Sequence, residues 1–147
     1  MKAAVIYTSV TGNTSTLAEM IQEKMEQRAI QTDLIPVEQF RLDQLRAYDI
    51  ITVGSYTWDS GELPMEMEEL YEAFETEDVK HTITGVFGTG DSFFPHFCGA
   101  VDLFKDMLFV HTNLAVTLKV ELMPQDEDMV KCEKFCDRLT QKLAVTY

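Results

Sequence analysis

Apolar residues fall along this chain in short continuous blocks separated by longer stripes of helical period. Residues 2–7 are apolar apart from Lys2, the pattern of a strand buried on both faces. From about Asn13 to Arg28, the residues Leu17, Ala18, Ile21 and Met25 recur at helical spacing. Thr32 to Val37 predicts a second strand, and Glu38 to Tyr48 a connector with a helical turn around Leu42 to Leu45. Asp49 to Ser55 predicts a third strand. A loop from Tyr56 to Leu63 then leads to Pro64, suited to the first turn of a helix with Met67, Leu70, Tyr71 and Phe74 on one face. Thr82 to Phe87 predicts a fourth strand and Gly88 to Pro95 a loop. His96 to Phe109 predicts a helix burying Ala100, Leu103, Phe104 and Met107. Leu114 to Leu122 alternates, with Thr117, Lys119 and Glu121 polar, as suits an edge strand with one wet side. A last helix over Asp126 to Leu143 buries Cys132, Phe135, Cys136, Leu139 and Leu143.

Five strands alternating with helices predict an α/β fold: a doubly wound, five-stranded parallel sheet in three layers, as one domain over residues 1–147. No apolar run approaches the length needed to cross a membrane. Lys2 leads straight into a strand, so the chain reads without a leader. Cys98, Cys132 and Cys136 make an odd count, read as reduced thiols of a cytoplasmic protein, and their spacing argues against a zinc site. The net charge of −13 changes the picture more. Nucleic acid and anionic membrane are poor partners for such a chain, while basic protein surfaces are good ones. A monomer is the expected state.

The candidate chemistry lies where the first strand ends. Val5-Ile6-Tyr7 breaks into Ser9, Val10, Thr11, Gly12, Asn13 and Thr14 before the helical stripe resumes. A strand feeding a polar turn and a helix N-terminus can hold a phosphate, because the first N–H groups of the helix lack intrahelical acceptors and its dipole is positive there. Ser9, Thr11 and Thr14 add hydroxyls and Asn13 an amide, more than capping one helix requires. No Lys or Arg occurs between Lys2 and Lys24, so dipoles and neutral donors would hold such a phosphate. The P-loop pattern and the dinucleotide-binding glycine pattern are both absent.

Two further loops leave the carboxyl ends of central strands. Ser55, Tyr56, Thr57, Trp58, Asp59 and Gly61 belong to one, which carries the chain's only tryptophan. Gly88, Thr89, Gly90, Asp91, Phe93, Phe94 and Phe97 belong to the other. Aromatic residues on two loops that should face each other point to a flat ligand between rings.

The pattern Val5-Ile6-Tyr7-x-Ser9-x-x-Gly12-x-Thr14-x-x-x-Ala18 resembles the N-terminal signature of the flavodoxins. Thr57-Trp58-x-x-Gly61-Glu62-Leu63 and Gly88-x-Gly90-Asp91-Ser92, running on to Phe97-Cys98-Gly99-Ala100-Val101-Asp102, resemble the two isoalloxazine loops of that family. The likeness spans essentially the whole chain and is to the short-chain flavodoxins. It implies the strand order 2-1-3-4-5 and non-covalently bound FMN, with its phosphate in the 8–14 loop. It further implies Trp58 on the inner face of the ring, the backbone of Thr89, Gly90 and Asp91 on its pyrimidine edge, and an aromatic on the outer face. That aromatic is commonly tyrosine; Phe94 stands in its place here, with Phe93 beside it. Asp59 and Ser60 occupy the turn after Trp58, where glycine would let a peptide flip most easily.

No set of side chains reads as a catalytic apparatus, and His81, His96 and His111 are scattered, so a bound cofactor would do the chemistry. From Asp49 to Val79 there are ten acids and no Lys or Arg. That field should disfavour extra negative charge on a bound ring and make the second electron strongly reducing. The expected function is a low-potential one-electron carrier, not an enzyme, working between a flavodoxin/ferredoxin reductase and acceptor oxidoreductases. A small FMN-dependent NAD(P)H or quinone oxidoreductase, and a dedicated activator of one enzyme, are the alternatives.

Overall fold

Parallel pairing needs a crossover between every two strands, and α-helices supply all but the one from the second strand to the third, which is made of 3-10 turns. In a computed structural model describing residues 1–57 and 61–146, the elements run β1 (Lys2–Tyr7), α1 (Asn13–Gln27), β2 (Gln31–Pro36), β3 (Ile50–Tyr56), α2 (Glu68–Thr76), β4 (Ile83–Gly90), α3 (Gly99–His111), β5 (Asn113–Glu121) and α4 (Asp126–Thr146). Short 3-10 turns at Val37–Gln39, Leu42–Ala47 and Met65–Met67 fill two of the connections. The five strands form one parallel sheet of order β2-β1-β3-β4-β5. Central β1 pairs Val5 with Leu34 on one edge and with Thr52 on the other, while Ala4 and Ile6 meet one apolar layer and Ala3 and Val5 the other.

Two apolar layers result. Leu17, Ile21 and Met25 of α1 and Cys132, Phe135, Cys136 and Leu139 of α4 cover one face, against Ala3, Val5, Ile50 and Phe87. Leu70 and Phe74 of α2 and Val101, Phe104 and Leu108 of α3 cover the other, against Ala4, Ile6, Ile51, Val53 and Val86. Ion pairs along the α1–α4 seam reinforce the first layer: Glu133 reaches Lys24 at 2.8 Å and Arg28 at 2.6 Å, and Asp137 reaches Arg28 at 2.8 Å. The hydrogen bond that Lys24 donates to Glu133 holds its ammonium above the ordinary pKa, against a desolvation that acts the other way.

Three local expectations are corrected. Strand β4 continues through Gly88, Thr89 and Gly90, a stretch whose glycines read as loop, because these residues pair with Ser55, Tyr56, Lys119, Val120 and Glu121. Helix α3 begins at Gly99 rather than His96, since His96 and Cys98 hold left-handed backbone at φ +60° and +52°. Leu103 is 40% exposed and lies outside the buried face of α3.

Packing explains the glycine at position 88 of β4. A Cβ there would stand 2.6 Å from the Ser55 carbonyl oxygen and 2.5 Å from Val101 Cγ2. Gly88→Ala is therefore expected to destabilise the fold by about 1–3 kcal/mol, read from urea unfolding. An unchanged midpoint would mean that β3 and β4 separate freely here.

Candidate functional site

Loops from β1, β3 and β4 converge at one end of the sheet, beside the point where strand order reverses between β1 and β3. The first loop closes on Gly12, the N-cap of α1. Its N–H donates to Ser9 Oγ at 3.1 Å, and its carbonyl accepts from the Ser15 and Thr16 hydroxyls at 3.0 and 2.9 Å. Gly12 holds φ +93°, which a side chain would strain, and a Cβ there would meet nothing within 4 Å. The space over the helix end is open. Thr16 N–H makes the first helical bond, to the Gly12 carbonyl, so the N–H groups of Asn13, Thr14 and Ser15 lie ahead of the intrahelical ladder.

Not every hydroxyl of this loop is available. Thr14 is buried, with its Oγ1 2.6 Å from Thr89 Oγ1, a bond that ties α1 to β4. Thr11 and Asn13 are different: their side chains make no hydrogen bond among the described residues. Both line a pocket of about 390 Å³ shared with Val10, Tyr56, Thr57, Thr89, Gly90, Asp91 and Leu122. Ser9, Val10 and Gly12 also line an adjoining recess of about 340 Å³, with Glu38 at its rim.

The second and third loops lock together backbone to backbone. A Cβ on Gly99 would meet the Gly61 backbone at 2.8 Å, and one on Gly61 would meet His96 Cβ at 2.7 Å. Thr57 Oγ1 accepts the Ala100 N–H at 3.2 Å. Asp91 folds the third loop outward, accepting the Phe93 N–H on its carboxylate at 2.9 Å and the Phe94 N–H on its carbonyl at 3.1 Å.

Glu66 joins the first two loops. Its Oε2 accepts from the Thr8 hydroxyl and the Tyr56 phenol, each at 2.8 Å. Burial pushes the Tyr56 phenol up, and the bond to Glu66 adds to it, to about 12. Burial also pushes the Glu66 carboxyl up, but donors from its own backbone, Thr8 and Tyr56 outweigh this and hold it below its ordinary value.

Open neutral donors at a helix N-terminus, continuous with a cleft at the switch point, define a doubly wound α/β domain built to take an anionic, elongated cofactor. The comparisons with known proteins say which one. The flavodoxin family model matches residues 5–135. "Probable flavodoxin 1" of Bacillus subtilis is 36% identical over 138 residues, covering 91% of this chain and 87% of the relative. A flavodoxin of Maridesulfovibrio salexigens is 34% identical over 134 residues, covering 88% and 92%. The crystal structure of oxidised flavodoxin 2 from Bacillus cereus superimposes with a TM-score of 0.90 at 36% identity, covering 97% of this chain and 99% of that one. This chain belongs to the flavodoxin family.

Of the residues singled out from sequence, Val10, Thr11, Asn13, Tyr56, Thr57, Thr89, Gly90 and Asp91 share one pocket wall, and Ser9 and Gly12 the adjoining recess. Ser55 turns away, its Oγ donating to the Tyr56 carbonyl at 2.7 Å, and Gly88 is a packing position. Phe97 packs against the α2–α3 core, whereas Phe93 and Phe94 are 94% and 63% exposed and brace nothing in the cleft. Trp58, Asp59 and Ser60 lie outside the described residues. Sequence reasoning missed Leu122, which follows β5 into the cleft, and Glu66, which read as one more acid before a helix. A raised phenol binds stability to its neutral form: the contribution is whole below the ordinary value of 10 and is lost as pH rises through about 12. Tyr56 is therefore expected to ionise near pH 12, and Glu66→Gln to lower that midpoint while burial keeps it above 10, read as phenolate absorbance against Tyr56→Phe. A midpoint at 10 in the parent protein would contradict the Tyr56–Glu66 bond.

Proposed function

We propose that FMN lies across the three loops, its phosphate at the N-terminus of α1 and its ring in the cleft beside Tyr56 and the Thr89–Asp91 backbone. As a flavodoxin, the chain is an FMN-binding electron carrier rather than an enzyme, and the proposal assigns its residues. The observation that carries it is the pair Thr11 and Asn13, which line a pocket at the N-terminal end of α1 and whose side chains make no hydrogen bond among the described residues. Ser9 lines the adjoining recess with its hydroxyl hydrogen free, and the Gly12 backbone lets a phosphate come close. When bound, FMN supplies reversible electron transfer in one-electron steps.

The protein's own part is to bind, orient and tune. Thr89, Gly90 and Asp91 present main-chain groups at the end of a strand fixed on both edges, so the ring edge meets a rigid surface. Trp58 is assigned to the inner face of the ring and Phe94 or Phe93 to the outer, the exposure of the two phenylalanines leaving both free of the core. Acids between Asp49 and Val79, with no Lys or Arg among them, oppose added negative charge in the cleft and favour a low potential for the second electron.

The same charge supports partners with basic docking surfaces: a flavodoxin/ferredoxin reductase on one side and acceptor oxidoreductases on the other. Cys98, Cys132 and Cys136 are free and buried, and burial pushes them to about 11, 11 and 12, which supports a reduced, cytoplasmic, monomeric protein. No helix among the described residues is long and apolar enough to cross a membrane.

Anaerobic reductive titration of the FMN-loaded protein, followed by visible absorption, tests the reading. Two separated one-electron stages are expected, the second at a potential below that of free FMN. Bleaching in a single two-electron stage, or a second potential at or above that of free FMN, would overturn it.

A further inference from the structure

Three cations of α4 line a groove that the proposed cofactor cleft does not use. Lys131, Lys134, Arg138 and Gln141 follow one another along a single flank of α4, three or four residues apart. They overhang Val116, Thr117 and Leu118 of β5 and form with them a groove of about 680 Å³, floored by Phe135. Two neighbouring acids are committed to α1: Asp137, which also lines the groove, is held by Arg28 at 2.8 Å, and Glu133 by Lys24 and Arg28; Asp128 pairs with Lys131 at 3.5 Å, within the flank itself. Lys134 and Arg138 make no ion pair or hydrogen bond among the described residues. Arg46, Lys80 and Lys105 are likewise without an ion pair among the described residues, but Lys134 and Arg138 stand one turn apart on the same flank of α4, above the edge of the sheet.

The backbone beneath these cations is also open. Strand β5 is an edge strand, paired on one side with β4. The Leu122 N–H bonds the Gly90 carbonyl at 2.8 Å. Counting back by twos, Val120, Leu118 and Val116 point their backbone groups at β4, and Thr117, Lys119 and Glu121 point theirs outward. Before Val116 the ladder shifts register between Thr84 and Gly85, so the regular part of the edge is the part that the basic flank overhangs.

We propose that this edge is a docking surface for an extended, acidic segment of a partner protein. The segment pairs with the outward backbone groups of Thr117, Lys119 and Glu121 as a sixth strand, and its carboxylates meet Lys134, Arg138 and Lys131. Charge selects the partner: the net charge of −13 repels a second copy of this chain, while this flank attracts acids that the rest of the surface turns away. None of the groove's lining residues belongs to the three cofactor loops, so a partner held here leaves the cleft free for electron exchange.

The test uses the full chain, isotope-labelled for amide resonances, and a peptide alternating Glu with Val. Saturable shifts confined to 116–121 and 131–141 are expected, weakening with salt. Lys134→Glu with Arg138→Glu is expected to weaken binding about tenfold. Thr117→Pro, or the same peptide N-methylated at alternate residues should that variant not fold, is expected to abolish it. Three results would overturn the proposal: no binding of the peptide; shifts that spare β5; or capture by phosphatidylserine vesicles with no response to the peptide.

Discussion

A parallel sheet covered on both faces has a single place where its chain can meet a ligand, the rim where strands give way to crossovers. Every feature of this molecule follows from that constraint. Apolar faces of α1 and α4 on one side, and of α2 and α3 on the other, use up the broad surfaces of the sheet. Chemistry is left to the loops after β1, β3 and β4, whose strands are neighbours and whose ends are in register. Buried pairs then fix the loops to one another: Thr14 with Thr89, Thr8 and Tyr56 with Glu66, and Gly61 against Gly99. These cross-links hold the loops around the cleft, and the side chains of Thr11 and Asn13 make no hydrogen bond among the described residues.

How much of this was legible in the sequence depended on which force decided each element. Central strands were plain, because burial on both faces demands unbroken apolar runs such as Ala3–Ile6. The hydroxyl-rich turn was plain too, since no packing role explains Thr11 and Asn13 at a strand end. Glycine misled at Gly88 and Gly90, where close packing against Ser55 and Val101 in one case and Cys98 in the other favours a missing side chain inside a strand, a cause that composition cannot distinguish from a loop. Left-handed backbone at His96 and Cys98 delayed α3, and nothing in their identity announces it. Glu66 was hidden among ten acids, and only its tertiary neighbours Thr8 and Tyr56 set it apart.

Charge divides the molecule in the same way. Ten acids and no Lys or Arg fall between Asp49 and Val79, whereas on α4 Lys134 and Arg138 stay unpaired among the described residues while Lys24 and Arg28 of α1 take up Glu133 and Asp137. A carrier needs brief contacts at its cofactor, and an acidic field meeting basic surfaces provides fast, salt-sensitive encounters. Lasting contact belongs elsewhere, and the edge of β5 is the surface that offers it.

The central claim is that neutral donors at the N-terminus of α1 hold a phosphate without a cation. Affinities of the apoprotein for FMN and for riboflavin, which lacks that phosphate, test it directly through quenching of flavin fluorescence. The account predicts that FMN binds about a hundredfold more tightly or better, and that Thr11→Val narrows the gap about tenfold while leaving riboflavin unaffected. Equal affinity for the two flavins would contradict it.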